Sequence, residues 1–182
     1  MKYEIKFFGH ENIRSNHKKT IEIRTQYQAH VARMFGFIDY DEAAAQAAAQ
    51  RVLELETQLA EPRLDKVQSR DIRNFNNPLS LEELSAITPK IDWNKFIKDM
   101  GITKTLDTVL VMQPNYMKAL NSFLSTTPIE DIKTLMTWST LDNAAGYLTP
   151  EIETANWEFY SKTLSGSKAQ RAAEERALGT VN

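Results

Sequence analysis

The spacing of apolar positions predicts that the chain is built almost entirely of helices. The first helix is predicted over residues 18–35, with an apolar face made of Ile23, Tyr27, Val31, Met34 and Phe35. Gly36 follows this face directly and suits the left-handed residue that often ends a helix.

A second helix is predicted from Asp41 to Ala60, with Asp39 or Asp41 as its N-cap. Its predicted apolar face consists of Ala44, Ala48, Val52, Leu55 and Leu59. Pro62 marks the end of this helix, and the short link 37–40 predicts that the two helices form a hairpin.

The middle of the chain is predicted to hold an irregular stretch and two short helices. Residues 61–79 lack periodicity and contain a turn-rich Asn-Phe-Asn-Asn-Pro cluster. Ser80-Leu81-Glu82-Glu83 is a capping-box pattern that predicts the start of a helix before Pro89. Asp92-Trp93 begins the next short helix, and Gly101 closes it.

One segment, residues 108–112, is predicted to be a strand because its sequence is Thr-Val-Leu-Val-Met. A lone strand needs a partner. We expect it either to add to structure outside this chain or to form an extended segment across the helices.

Three further helices are predicted after residue 113. The first runs from Pro114 to about Leu124, and Thr127-Pro128-Ile129-Glu130 begins the second with a cap, a proline and a capping-box Glu. Thr149-Pro150-Glu151 begins the third, which stops at Gly166. The tail 167–182 has helix-forming residues but no broad apolar face.

These elements predict an all-α fold: an elongated multi-helix domain with at most one short strand. The chain has 182 residues, which suits one domain. We find no internal repeat and no linker, so residues 1–182 are predicted to form a single helical unit.

Composition excludes several classes of function. The net charge of −2 provides no strong basic field, so nucleic acid is not expected as a partner. The absence of cysteine excludes disulfides, thiolate zinc ligands and cysteine nucleophiles. No apolar run approaches the roughly 18 residues of a membrane helix, and no targeting signal is recognised in this chain.

The three histidines give no convincing catalytic or metal site. A zinc peptidase motif needs two histidines four residues apart, but in His10-Glu11-Asn12-Ile13-Arg14 an arginine holds the second position. A polar stretch is the alternative interpretation. His17 and His30 are scattered, and His30 lies beside the apolar face of the first helix, so a partly buried structural histidine is favoured over a catalytic one.

Two other groups of residues have both a structural and a functional interpretation. The acidic residues suit helix caps and solvated faces, although a carboxylate pair could also be catalytic; they are Glu54, Glu56, Glu61, Asp65, Glu82, Glu83, Glu130 and Asp131. Packing is favoured over a ligand box for the aromatic residues Trp93, Trp138, Trp157, Phe159 and Tyr160. We therefore assign no catalytic and no metal-binding residue, and the substrate-binding residues stay unknown.

Several ordered segments resemble one family. Residues 23–35 resemble the "IR-x-x-Y-x-x-H-(I/V)-A-(R/K)-M" helix of the neprilysin and endothelin-converting enzyme family of zinc metallopeptidases. The similarity continues through residues 40–44, 52–60, 91–93, 111–114, 127–131, Trp138, 144–148, 156–166 and 178–182. In particular, the chain resembles the N-terminal region of the bacterial oligopeptidase O type.

The resemblance implies a zinc-dependent endopeptidase that cleaves peptides by means of metal-activated water. It implies two largely helical domains around a cavity, an extracytoplasmic location (periplasmic, secreted or membrane-anchored), and peptides and a C-terminal catalytic domain as partners. Zinc would belong to the full-length protein, with its ligands C-terminal to Asn182. This segment would then be a non-catalytic lid or cavity wall.

The chain also departs from the family pattern. Residues 171–176 replace an Arg-Pro-Arg-Trp-Lys-Arg pattern and lack its tryptophan, Gly146 stands where the family often has proline, and residues 1–15 match poorly. The alternative function is a stand-alone helical protein-interaction module. The two hypotheses differ in whether a His-Glu-x-x-His motif follows residue 182 in the encoded protein.

Overall fold

The computed structural model describes residues 18–65 and 67–181. Their contacts group into two compact units. The first unit contains residues 18–53 and 133–181, and the second contains residues 54–132 apart from residue 66. Neither boundary is a linker, because one lies within the helix that ends at Ala60 and the other within the helix that begins at Ile129.

Helices dominate the described residues, which confirms the predicted all-α class. The α-helices are α1 (Lys18–Gly36), α2 (Glu42–Ala60), α3 (Leu81–Ile87), α4 (Trp93–Asp99), α5 (Pro114–Thr126), α6 (Ile129–Ala144), α7 (Pro150–Trp157) and α8 (Ala173–Val181). Short 3-10 helices occupy Gln68–Arg70, Ile72–Phe75 and Ala145–Tyr147, and Glu158–Leu164 is a π-helix.

The predicted capping box is present at the start of α3. The backbone N–H of Glu83 donates to Ser80 Oγ at 3.1 Å, and the backbone N–H of Ser80 donates to Glu83 Oε2 at 2.7 Å. Two backbone donors that the helix itself cannot satisfy are therefore paired. Asp92 caps α4 in the predicted way by accepting from the N–H of Lys95 at 2.9 Å.

The connection between α1 and α2 corrects one prediction and resolves another. Gly36 is the last residue of α1, and the left-handed backbone falls instead on Asp39, with φ 67°. Asp tolerates this conformation better than most residues because its short polar side chain can hydrogen-bond locally. Asp41 is the cap of α2, since its Oδ1 accepts from the N–H of Ala44 at 2.8 Å.

The buried faces of α1 and α2 largely follow the predicted faces. Tyr27, Val31, Met34 and Phe35 are buried on α1. On α2 the prediction was wrong at Ala44, which is exposed. The buried face begins one residue later, because Ala45, Ala48, Ala49 and Val52 are spaced three and four residues apart and so share one side of the helix.

The predicted strand has its partner within the second unit. β1 (Pro78–Leu79) pairs antiparallel with β2 (Val109–Leu110), so the expectation of a partner outside this chain was wrong. The N–H of Val111 extends the pairing by donating to the carbonyl of Asn77 at 2.9 Å. With two residues each, these strands leave the fold all-α.

The predicted last long helix changes geometry halfway. α7 ends at Trp157, and the chain continues as the π-helix Glu158–Leu164 instead of as α-helix. A π-helix has more residues per turn and therefore rotates the following side chains relative to an α-helix. The segment ends at the predicted glycine, Gly166, which adopts φ 72°.

We predict that the capping box stabilises the second unit measurably. Replacing Ser80 with Ala should lower the free energy of unfolding by about 1 kcal/mol, because the N–H of Glu83 loses its acceptor. Urea unfolding followed by tryptophan fluorescence measures this change.

Ser125→Ala is the matched control, because Ser125 lies within α5 and its hydroxyl donates only to the carbonyl of Asn121. Its effect should stay within about 0.5 kcal/mol of the wild type. Equal effects of the two substitutions would contradict the role of the cap.

Candidate functional site

His30 lies in an aromatic cluster inside the first unit. Its ring stacks on Phe159, with centroids 4.8 Å apart and planes 10° apart. Trp138 and Tyr160 meet the same ring edge-on, with centroids 5.8 and 5.7 Å away. The histidine is 6% exposed, so it is buried more completely than the partly buried position that the sequence predicts.

The surroundings of His30 favour its neutral form. Nε2 is buried and has no hydrogen-bond partner among the described residues. Burial, together with the nearby positive charge of Arg33, lowers the pKa of His30 from 6.5 to about 4. Since a protonated imidazole would bring a second N–H donor and a charge into an apolar site, the ring stays uncharged at neutral pH.

A hydrogen bond between two aromatic residues fixes the other side of the cluster. Trp138 Nε1 donates to Tyr27 Oη at 2.9 Å, and both residues are buried. The two rings meet edge-on at 5.9 Å, which is a favourable arrangement for aromatic pairs. Tyr27 also contacts Phe159, with centroids 5.6 Å apart. Among the described residues, these rings therefore make packing contacts with one another in the interior of the unit.

An exposed ion pair closes the surface next to this cluster. Arg33 Nη1 donates to Glu158 Oε2 at 2.5 Å, which joins α1 to the π-helix. The hydrogen bond from Arg33 lowers the pKa of Glu158. Both side chains remain substantially exposed, so the pair adds at most about 1 kcal/mol to stability.

The remaining aromatic residues of the predicted set do not join this cluster. Trp93 belongs to the second unit, where its Nε1 donates to Thr88 Oγ1 at 2.7 Å. Thr88 Oγ1 in turn donates to the carbonyl of Leu84 at 2.6 Å. Trp157 is half-buried at the end of α7. Packing therefore describes these side chains better than a shared ligand box.

Acidic residues mostly serve helix starts and turns, as the sequence suggests. Glu83 completes the capping box, and Asp65 Oδ1 accepts from the N–H of Gln68 at 2.7 Å. Glu130 and Asp131 lie in the first turn of α6, where a negative charge suits the helix dipole. Glu56 differs from the others, because it is only 2% exposed and makes an interaction inside the fold.

No metal centre can be built from the part of the chain that the structure describes. A structural or catalytic zinc site needs at least three protein ligands, and no group of three or more His, Asp or Glu with suitable placement occurs in residues 18–65 and 67–181. The segment from His10 to Arg14, and His17, lie outside the described residues. The described residues therefore do not fit a zinc ion.

An apolar groove lies along α6 in the first unit. Its volume is about 550 Å³, and we call it the α6 groove. Its lining consists of Ile38, Lys133, Met136, Thr137, Thr140, Leu141, Ala144 and Leu148. Met136 is 54% exposed and Leu148 is 45% exposed, so this apolar surface faces solvent in the structure.

Two residues of the tail after Gly166, Gln170 and Arg176, contact Glu153 of α7. Arg176, in α8, places its Nε 2.7 Å from Glu153 Oε1 and donates from Nη2 to Glu153 Oε2 at 2.9 Å. Gln170 also donates to Glu153 Oε1, at 3.3 Å. A two-point contact of this kind fixes orientation as well as distance. These contacts join the tail to α7 in a sequence that lacks the tryptophan of the family pattern.

Among the helices described, none combines the length and apolar character that crossing a bilayer requires. The longest, α1 and α2, have 19 residues each and carry several charged side chains.

We predict that acid destabilises the first unit through His30. Its folded pKa of about 4 lies below the ordinary 6.5, so the unfolded chain binds the proton more readily. The contribution of the neutral His30 to the free energy of unfolding is therefore fully present above pH 6.5, and it is lost as the pH drops towards 4. The loss should reach about 2 kcal/mol at pH 5 and roughly 3 kcal/mol at lower pH.

His30→Phe removes this titration and keeps an aromatic ring against Phe159. Urea unfolding at a series of pH values between 7.5 and 5 should give a steeper decline for the wild type than for the variant. If the two curves run parallel, His30 does not cause the acid sensitivity.

Comparisons with known proteins agree with the resemblance seen in the sequence. Endothelin-converting enzyme-like 1 of Rattus norvegicus is 22% identical over 166 residues, which are 88% of this chain and 21% of that protein. Endothelin-converting enzyme 1 of Cavia porcellus is 20% identical over 158 residues. The chain therefore spans about a fifth of the length of the curated relatives that it matches.

Solved structures of zinc metalloprotease 1 from Mycobacterium tuberculosis share the fold. The open state is 26% identical with a TM-score of 0.86, over 94% of this chain and 27% of that chain. The complex with an inhibitor is 25% identical with a TM-score of 0.87, over 96% of this chain and 26% of that chain. The family model described as Peptidase family M13 matches residues 8–182. The chain thus belongs to peptidase family M13, as part of the N-terminal region of the neprilysin and endothelin-converting enzyme family.

Proposed function

We propose that residues 1–182 form part of the helical, non-catalytic wall of a zinc-dependent endopeptidase that cleaves peptides. The observation that carries this proposal is a contrast within one chain. The chain belongs to a peptidase family, yet its described residues offer no group of side chains that could hold a metal ion. The chemistry would then reside in another part of the same polypeptide.

The character of the first unit supports a role in shaping a cavity. Its most distinctive residues, including His30 and Trp138, are buried and make packing contacts. Closely packed helices resist deformation. Such a wall would limit access by size, so that peptides enter and folded proteins do not, and it would help to exclude bulk water from the reacting groups.

The partners follow from the same proposal. They are a C-terminal catalytic domain of the same protein, which would bind the zinc ion, and peptide substrates. The resemblance to neprilysin-like enzymes also supports an extracytoplasmic location. The share of the relatives that this chain covers, 21% in endothelin-converting enzyme-like 1, agrees with a division of labour along a longer polypeptide.

The experiment compares the 182-residue chain with the protein encoded by the complete reading frame. We expect the complete protein to cleave a small fluorogenic peptide, to lose this activity in a chelator, and to regain it when zinc is added. The 182-residue chain should show no chelator-sensitive cleavage. A folded protein that contains the sequence of the peptide substrate should be cleaved slowly or not at all.

Two outcomes would contradict the proposal. Chelator-sensitive cleavage by the 182-residue chain alone would place catalytic residues within it. A complete reading frame without a His-Glu-x-x-His motif, and without peptidase activity, would favour the stand-alone helical interaction module instead. A matched control is the complete protein with its second motif histidine replaced by alanine, which should fold normally and lack activity.

A further inference from the structure

The α6 groove combines apolar character with exposure on one continuous helix face. Met136, Thr140 and Ala144 are spaced four residues apart and therefore line the same side of α6. Leu141 is buried beneath them and forms part of the floor. Lys133 is the one charged residue of the lining. Contiguous exposed apolar surface marks an interaction site more often than scattered apolar residues do.

The residues that line the groove suit a helix as its occupant. Thr137, Thr140 and Ala144 are small, so another backbone can approach α6 closely at these positions. Met136 and Leu148 provide larger apolar contacts, and methionine adapts its shape to a partner. An amphipathic helix places apolar side chains into such a groove at spacings of three and four residues.

The comparisons indicate where such a helix would come from. This chain matches zinc metalloprotease 1 along 94–96% of its own length but covers only 26–27% of that protein. Most of a protein of that kind therefore lies outside the matched region and can supply packing partners. We propose that the α6 groove holds an amphipathic helix from the remainder of the same metallopeptidase polypeptide, an inference that rests on the proposed function above.

Cysteine labelling tests this inference directly, because the 182-residue chain contains no cysteine. Met136→Cys places a thiol in the groove. Asn143→Cys is the matched control, because Asn143 is exposed on the same helix and does not line the groove. The rate of maleimide labelling at each site is measured by mass spectrometry in the 182-residue chain and in the protein encoded by the complete reading frame.

In the 182-residue chain both thiols should react at similar rates. In the complete protein, the labelling rate of the thiol at position 136 should fall by at least about tenfold, because the occupied groove must open first. The control at position 143 should keep its rate. Leu148→Cys is a second groove variant, for use if the substitution at position 136 disturbs folding as judged by circular dichroism.

Equal labelling of the position 136 thiol in both proteins would overturn the inference. Slow labelling already in the 182-residue chain would also overturn it, and a dependence on protein concentration would then identify a second copy as the occupant. Peptidase activity measured on the same samples separates the two proposals. Activity with an exposed groove refutes only the docking helix, whereas a protected groove without activity refutes only the proposed function.

Discussion

The hydrogen bond from Trp138 to Tyr27 is the interaction on which the first unit depends. It joins α6 to α1 across 111 residues of sequence, and both partners are buried. Without Tyr27, the indole N–H of Trp138 would lose this acceptor in an apolar interior, which costs about 1–3 kcal/mol. Because the bond fixes both rings, it also fixes the space into which Phe159 and His30 pack.

This constraint explains the main feature of the fold that the sequence did not predict. Local signals suggest one helix from Pro150 to Gly166, and both ends are correct. The interior becomes a π-helix at Glu158, where Phe159 stacks on His30 and Tyr160 meets the same ring edge-on. The need to place two successive aromatic residues around one imidazole is a tertiary requirement, and no spacing rule within the segment expresses it.

The other differences between the predicted and the observed fold also arise from tertiary contacts, whereas the correct predictions rest on local signals. Caps are local, so Ser80, Asp92 and the helix starts that they define are predictable from a few residues. The partner of the 109–110 strand lies about thirty residues away in Pro78–Leu79, a segment too short to carry a strand pattern. On α2, a run of alanines offers several equivalent faces, and only packing against neighbours decides that Ala45 is buried and Ala44 exposed.

The family resemblance rests largely on residues whose role is packing. Tyr27 and His30 belong to the helix that carries the resemblance, and both are buried in the aromatic cluster. Core residues of this kind identify a fold, because their shapes must fit one another, but they do not reveal a reaction.

The α6 groove could not be predicted in the same way. The α6 groove is built from residues with no catalytic chemistry, such as Met136 and Ala144, and its exposure became visible only in three dimensions. Because an apolar face gains stability only when it is covered, the groove points to contact with another element rather than to chemistry of its own.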